Sequence, residues 1–231
     1  MDGCHGLTGN RDAGRARIGY AVNRMLEECT MARADVRARI LQASKAVFSK
    51  KGYRAATVSD ILEEADIARG TFYRYFTNKR HAFYELASEL FKGIYEASKF
   101  MLADGDGRMA NRIEDSFAQC YSLFIDNRGV LLTYLREGLA ADPGLYALWD
   151  DFDNRMTALF ETVLERGASS GEFRKVDNNL VSRAMLMLFL QVPYRDIILG
   201  QRVDLDVRSL AGEMVNFLLN GLVQREATPS P

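Results

Sequence analysis

Residues 57–79 carry the side chains of this chain best suited to chemistry, and that chemistry is the recognition of nucleic acid. The segment reads TVSDILEEADIARGTFYRYFTNK. Helical spacing places Arg69, Thr71 and Arg74 on a polar face, while Phe72 and Phe76, four residues apart, point inward. A helix fits the major groove of duplex DNA, where arginine and threonine reach base edges and tyrosine or lysine holds phosphate. The segment therefore predicts a DNA-reading helix.

Three helices are predicted to position these side chains. The first covers about 32–51, and Gly52 is placed to end it. Thr57 and Asp60 form a capping box for a second helix over 58–65, and a third helix is predicted over 69–75. Two short helices joined by a tight turn after a longer one are typical of a helix-turn-helix.

The apolar pattern stays helical beyond this unit. Asn78 is expected to cap a fourth helix that runs to about residue 102, before the sequence ADGDG. Further helices are predicted at about 109–127, 129–140, 144–168, 178–199 and 206–224. Asp142 followed by Pro143 is a helix start signal, and ASSGEF and Gly200 are predicted stops. Since no alternating strand pattern of useful length occurs, we predict an all-α fold.

Charge is unevenly distributed along a chain whose formal net charge is −1. Residues 31–91 hold 11 basic and seven acidic side chains, whereas residues 92–231 hold 15 basic and 20 acidic ones. A small basic unit joined to a larger acidic one favours phosphate binding by the first unit alone. The alternative, a chance imbalance, is not excluded by charge counts.

The segment ADIARGTFYRYFTNK resembles the recognition motif of the TetR family of bacterial transcriptional regulators. The positions that match the family pattern are Ala65, Gly70, Thr71, Phe72, Tyr73, Tyr75, Phe76 and Lys79. There are two departures: Asp66 replaces the usual turn glycine, and Ala68 replaces the serine that normally caps the recognition helix. Aspartate tolerates a left-handed backbone, but alanine offers neither a cap nor a phosphate contact.

The resemblance implies a role for each matched position. Thr57 and Ser59 would lie against phosphates, and Arg69, Thr71 and Arg74 would face the major groove. Tyr73 and Tyr75 would hold the DNA backbone or a thymine methyl group, and Lys79 would clamp a phosphate. Gly70 would allow close approach to DNA, which would explain its cost of about 1 kcal/mol in helix propensity. Alternatively, the two tyrosines pack internally and the arginines are only solvated.

The middle helices are rich in aromatic residues and methionine, a composition that suits an apolar effector cavity as well as an ordinary core. The candidates for effector binding are Phe117, Tyr121, Phe124, Tyr134, Trp149, Met156, Phe160 and Phe189. Polar candidates that would orient a ligand are Arg136, Glu137, Arg183 and Gln191. The resemblance implies that ligand binding shifts the fourth helix and weakens DNA binding.

The last two helices are too apolar for one-sided burial. Nonpolar residues cover most of the circumference from Leu180 to Leu199 and form a wide stripe from Leu205 to Val223. Such helices need a second surface, and the family dimerises in this way, so both segments are predicted to form a homodimer interface. A dimer implies an inverted-repeat DNA operator.

These predictions divide the chain into a flexible extension (1–30), a helix-turn-helix domain (31–91), a bundle for effector binding and dimerisation (92–226) and a disordered tail (227–231). We expect no enzyme, cofactor or metal site, because the histidines are only His5 and His81 and no nucleotide-binding or hydrolase motif occurs. The longest apolar run has seven residues, and the three cysteines suit reduced thiols in a cytoplasmic protein. The alternative function is a ligand-binding or scaffolding bundle without specific DNA binding.

Overall fold

A computed structural model describes residues 33–103, 108–138, 142–195, 199–200 and 206–222. The predicted extension (1–30) and tail (227–231), together with His5 and two of the cysteines, lie outside the described residues. Parts of the predicted junction at 103–107 and of the predicted dimer segments (196–198, 201–205 and 223) also lie outside them.

The described residues form nine helices and no strand, which confirms the all-α prediction. In the first unit, α1 covers 33–55, α2 Val58–Ala65, α3 Arg69–Tyr73 and α4 Lys79–Ser98, and α4 continues into a 3₁₀ turn, Lys99–Leu102. Beyond it lie α5 (Met109–Asp126), α6 (Arg128–Thr133) with a π-helical turn (Tyr134–Gly138), α7 (Pro143–Ser170), α8 (Asn178–Pro193) and α9 (Val207–Leu222).

The predicted helix starts are confirmed by their hydrogen bonds. The Thr57 hydroxyl accepts from the Asp60 N–H, and the Asp60 carboxylate accepts from the Thr57 N–H, which completes the capping box of α2. The Asn78 side chain caps α4, and Asp142 caps α7 with Pro143 in the first turn. Each cap satisfies backbone donors that the helix itself leaves unpaired.

Three predicted helix ends were wrong, and the third helix, predicted over 69–75, ends at Tyr73. Gly52 adopts a left-handed φ of 78°, yet α1 continues for one more turn because the Ala56 N–H bonds to the Gly52 carbonyl. The helix predicted over 129–140 changes to a π-helical turn at Tyr134–Gly138, and residues 139–140 lie outside the described residues. A π turn adds one residue per hydrogen-bonded ring, and apolar periodicity over so short a stretch does not reveal it.

One continuous apolar core joins the two units. The helix α4 packs against α5 and α7, α5 packs against α9, and α7 packs along α8. The core continues from Ile40 and Phe48 in α1 through Phe91 in α4 to Phe160 and Phe189 in α7 and α8. Movement in the larger unit can therefore reach the helix-turn-helix through packed side chains. Within the described part of the chain, no helix has the length and apolarity needed to cross a membrane.

Tyr121, in the middle of this core, is fully buried, and its hydroxyl has no hydrogen-bond partner among the described residues. Burial raises the pKa of Tyr121, so the phenol remains neutral. A buried hydroxyl without a partner costs free energy that a hydrogen atom in its place would not. Tyr134 offers the opposite case, because its buried hydroxyl donates to the Leu145 carbonyl.

We expect Tyr121→Phe to raise the free energy of unfolding by about 1 kcal/mol, because it removes an unsatisfied donor without changing ring packing. Tyr134→Phe, the matched control, should lower it by about 1 kcal/mol, since the Leu145 carbonyl loses its donor. Urea denaturation followed by circular dichroism measures both. A loss of stability in Tyr121→Phe would show that its hydroxyl has a partner.

Candidate DNA-binding surface and effector cavity

The orientation of α3 is fixed by two phenylalanines. Phe72 and Phe76 are fully buried, and their ring centroids lie 5.7 Å apart. Successive side chains of a helix are rotated by about 100° around its axis, so burial of Phe72 leaves Arg69, Gly70 and Tyr73 on the outer part of α3. All three are exposed. The sequence prediction of inward phenylalanines is confirmed.

Two arginines dominate the exposed face of this unit. The Arg69 guanidinium lies 5.8 Å from the centroid of the Tyr73 ring, and Arg74 is exposed at the end of α3. Neither forms a salt bridge with a described residue. Both guanidiniums are therefore available to a partner, and planar guanidinium pairs well with the acceptor edge of guanine.

The remaining predicted DNA contacts differ in exposure. Thr57 and Ser59 are exposed at the start of α2, whereas Thr71 and Tyr75 are half-buried. Tyr75 packs against the core, as the internal-packing alternative requires. A Cβ atom on Gly70 would meet nothing within 4 Å, so no contact inside the chain explains glycine at this position.

The two departures from the family motif have clear local consequences. Asp66 ends α2 with φ 49° and ψ 58°, the left-handed conformation expected when it replaces glycine. Ala68 precedes α3 without any side-chain cap. Asp66 does not supply the cap either, because its carboxylate accepts no hydrogen bond from the described residues of α3. The turn therefore keeps its geometry, and α3 loses one stabilising interaction.

A salt bridge between Lys51 of α1 and Asp60 of α2 holds the two helices together. Lys51 Nζ lies 2.7 Å from Asp60 Oδ1, and this hydrogen bond, together with those from Thr57, lowers the pKa of Asp60 to about 2. The carboxylate is therefore charged at any physiological pH. Its role is to hold the start of α2, where Thr57 and Ser59 are presented.

Lys79 has a different environment from the one predicted. Its ammonium donates to the carbonyl oxygens of Tyr53, Arg54 and Ala56 at 2.9, 3.0 and 2.8 Å. Tyr53 and Arg54 lie in the last turn of α1 and Ala56 directly follows it, so the positive charge also meets the negative end of the helix dipole. All three N–H donors are thus used inside the chain. A phosphate contact by Lys79 stays a prediction, but a structural role is evident.

Lys79→Met is expected to lower the free energy of unfolding by about 2 kcal/mol, because it keeps the aliphatic stem and leaves the carbonyls without their charged donor. Lys51→Met, which loses only a surface ion pair, should change it by less than about 1 kcal/mol. Chemical denaturation measures both. Native stability in Lys79→Met combined with uniformly weak DNA binding would instead assign Lys79 to phosphate.

The unit that contains α3 is joined to the rest of the chain at α6. The Thr133 hydroxyl donates to the Phe48 carbonyl at 3.1 Å, and a Glu137 carboxylate oxygen accepts from the Arg54 N–H at 2.8 Å. A Cβ atom on Gly129 would collide with the Ser49 side chain and lie 3.0 Å from its Cα atom. The start of α6 therefore touches the α1 backbone.

A cavity of about 670 Å³ lies directly behind this junction. Most of its lining is apolar, and polar groups come from α7 and α8. The apolar lining includes Phe91 and Ile94 of α4, Leu131 of α6, Leu135 in the π turn, Trp149 and Phe152 of α7, and Leu186, Met187 and Leu190 of α8. The polar lining consists of Asp153, Asn154, Thr157, Arg183 and Gln191. A volume of this size suits a small organic molecule.

The cavity includes only part of the predicted effector set. Phe124 and Trp149 line it, as do the polar candidates Arg183 and Gln191. The other six predicted residues do not line it and are buried in the core: Phe117, Tyr121, Tyr134, Met156, Phe160 and Phe189. Sequence reasoning missed Phe91 and Ile94, because it sought the effector contacts only in the helices that follow α4.

The two remaining polar candidates do not line the cavity: Glu137 joins the two units, and Arg136 is exposed. Asp153, within the cavity lining, has its pKa raised, chiefly by burial and also by Asp150, against the effect of Arg183. The polar part of the cavity thus offers both hydrogen-bond donors and acceptors.

An exposed arginine-bearing helix in a helix-turn-helix, joined to a helical bundle with a cavity, defines a DNA-binding transcriptional regulator. Residues 40–86 match the family model described as "Bacterial regulatory proteins, tetR family". The chain carries a DNA-binding domain of the TetR-family type at residues 40–86. It is a regulator rather than an enzyme, and repressors of this family bind DNA operators as dimers.

Similarity to individual proteins extends beyond the matched domain. The HTH-type transcriptional repressor KstR2 of Mycobacterium tuberculosis is 27% identical over 153 residues, which span 64% of this chain and 74% of that protein. The solved structure of ketosteroid transcriptional regulator KstR2 of M. tuberculosis has a TM-score of 0.63 at 22% identity, and covers 82% of this chain and 95% of that one. The fatty acid degradation regulator FadR of Bacillus halodurans has a TM-score of 0.67 at 21% identity, with 82% and 97% covered.

Proposed function

We propose that the protein is a dimeric repressor that binds an inverted-repeat operator through α3 and is released by an apolar or amphipathic effector in the cavity behind α6. The observation that carries the proposal is the outer face of α3, a helix held by buried phenylalanines. Arg69 and Arg74 are exposed there and form no salt bridge with a described residue. The relatives KstR2 and KstR are named repressors, which supports repression rather than activation of transcription.

Base reading falls to Arg69, Thr71 and Arg74, and phosphate contacts fall to Thr57, Ser59 and Tyr73. The exposed positions of this set support the assignment. Gly70 supports close approach of DNA, because the space beside it is open. Tyr75 is half-buried against the core, so its part is to position α3 as well as to reach the DNA.

We propose that the chain is divided into two domains with different functions. Residues 31–91 read DNA, and residues 92–226 bind the effector and a second copy. The helix α4 crosses this division, since it starts beside α3 and lines the cavity with Phe91 and Ile94. A ligand therefore touches the helix that supports the DNA-binding unit.

Effector binding would reach the DNA through two connections. A ligand that displaces Leu131 or Leu135 moves α6 or its π-helical turn. These hold α1 through the Thr133 hydroxyl, which donates to Phe48, and the Glu137 carboxylate, which accepts from Arg54. A ligand that displaces Phe91 moves α4 directly. Either displacement would alter the spacing of the two recognition helices, which must stay about 34–36 Å apart to match one DNA turn.

The effector chemistry is read from the cavity lining, which combines many apolar side chains with a few polar ones. This lining fits a molecule with an apolar body and one polar end. The solved relatives described as ketosteroid and fatty acid regulators support a lipid-like class for this chain. Effector contacts are proposed for Phe124 and Trp149, which line the cavity, while the six core residues would support its walls.

The dimer interface is proposed on α8 and α9. In these helices Leu180, Met187 and Phe217 are large apolar residues with 67%, 71% and 69% of their surface exposed. Fully burying each such side chain contributes about 1.5–3 kcal/mol. Leu210 and Leu218 pack partly against the chain's own core, so Phe217 is the better anchor on α9.

Binding of the purified protein to its own upstream DNA across a salt series tests the proposed function. We expect a preference over random DNA, protection of an inverted repeat in footprinting, and a log affinity that falls with log salt by about 0.9 for each neutralised phosphate. Equal binding to upstream and random DNA at low salt would contradict the proposal and favour a ligand-binding bundle.

A further inference from the structure

The effector cavity and the proposed dimer face share residues of α8. Leu180, Arg183, Ala184, Met187 and Gln191 are all exposed. Their spacing of three and four residues puts them on one face of the helix. Arg183, Met187 and Gln191 also line the cavity. One wall of the cavity is therefore formed by side chains of the outer face of α8.

The position of the cavity mouth follows from how α7 and α8 pair. The two helices pack together, and the Asn179 side chain donates to Glu161 at 3.2 Å. Along this antiparallel pair, Thr157 is level with Arg183 one turn farther on, and Asp153 and Asn154 are level with Met187 two turns farther on. All five line the cavity, and Asn154, Arg183 and Met187 are exposed. The mouth therefore lies along the α7–α8 seam, on the side of the exposed face of α8.

We propose that the effector cavity is completed by the second copy of the chain: in the dimer, the partner subunit covers the mouth between α7 and α8 and forms part of the ligand's surroundings. This inference rests on the proposed dimerisation through α8 and α9. Leu180, which is exposed and does not line the cavity, would pack only on the partner, whereas Met187 would contact both partner and ligand.

A consequence of this arrangement is that effector binding and dimerisation are linked. A ligand that gains contacts from both copies binds the dimer more tightly than the monomer, and it must stabilise the dimer by the same factor. A cavity enclosed within one chain would give no such link. A ligand that bound the exposed apolar face of α8 would weaken the dimer, so the sign of the effect separates the three arrangements.

Thiol labelling at the mouth tests closure without any ligand. In a chain with Cys4 and Cys29 replaced by serine, Met187→Cys should react with a maleimide at least about ten-fold more slowly in the native dimer than in a Leu180→Arg monomer background. Ser122→Cys, on an exposed position of α5, should react equally in both. The remaining native cysteine, Cys120, is buried.

Equal labelling of Met187→Cys in dimer and monomer would overturn the inference, as would a Leu180→Arg protein that remains a dimer. Operator binding by the native chain is measured separately and decides the proposed function. Specific DNA binding with a fully reactive Met187→Cys thiol in the dimer would therefore leave the repressor in place and remove only the shared cavity.

The linkage itself is measured with the apolar anionic dye 8-anilinonaphthalene-1-sulfonate in a Leu180→Ala background, whose weaker dimer dissociates in a measurable range. Sedimentation should give a dimer dissociation constant lowered by at least about ten-fold at saturating dye. Trp149 lines the cavity and is the one tryptophan of the chain. Its excitation should therefore produce dye fluorescence by energy transfer, which shows that the dye is bound in the cavity. Leu135→Trp, which places a larger ring in the cavity, should reduce the shift. An unchanged or raised dissociation constant in the presence of bound dye would overturn the inference. If the dye does not bind to the dimer, the inference that the dimer holds an apolar cavity is also wrong.

Discussion

Leu180→Arg is expected to convert the dimer to monomers and to weaken operator binding by more than about 100-fold. Leu180 is 67% exposed in the single chain, and an arginine there would place two unpaired charges in the interface by symmetry. A monomer binds one half-site alone and loses the high effective concentration that the second recognition helix gains from the first. The loss in affinity follows without any change in α3.

Sedimentation gives the oligomeric state, and fluorescence anisotropy with operator DNA gives the affinity. Phe217→Arg, on α9, should behave as Leu180→Arg does, whereas Tyr146→Arg on α7 should stay dimeric although Tyr146 is also exposed. Dimers of native affinity from both Leu180→Arg and Phe217→Arg would place the interface on another surface.

Removal of the exposed arginines of α3 is expected to have the second large effect. Arg69→Ala and Arg74→Ala should each cost about 1–3 kcal/mol in binding to the operator, and both should reduce discrimination against mismatched sites. The side chains are exposed and form no salt bridge with described residues, so folding should be unaffected. The double variant should therefore keep its native thermal transition.

Competition assays with single-base operator variants measure these effects. Lys175→Ala removes one positive charge from the exposed connection between α7 and α8 and serves as the charge control. It should leave both affinity and discrimination unchanged. If Arg69→Ala and Arg74→Ala weaken all DNA sequences equally, the two arginines bind phosphates and do not read bases.

The elements with strong local signals were predictable from the sequence. The Thr57–Asp60 capping box, the Asp142–Pro143 helix start and the left-handed Asp66 are all present, because short-range hydrogen bonds and backbone sterics decide them. Long-range contacts were not predictable. Lys79 bonds to carbonyls more than 20 residues away, and no local pattern signals that partner.

The cavity was predicted only in part for a related reason. Helical periodicity identified Phe117 and Phe189 as inward-facing, and both are fully buried. Helical periodicity does not distinguish an inward side chain that packs against other side chains from one that lines a cavity. Arg183 and Gln191 gave the better signal, because polar residues in an apolar helix need a reason to be there, and both border the cavity.

The most direct test of whether the cavity controls DNA binding uses a ligand that co-purifies with the protein. Mass spectrometry identifies this ligand, and its effect on operator binding is then measured. We predict that this ligand weakens operator binding by the native protein at least about ten-fold. Thr157→Trp, which occupies part of the cavity from α7 and leaves α4 and α6 unchanged, should bind the operator as the native chain does and resist release. Equal release of both proteins, or a ligand that binds in the cavity without changing operator affinity, would contradict control through this site.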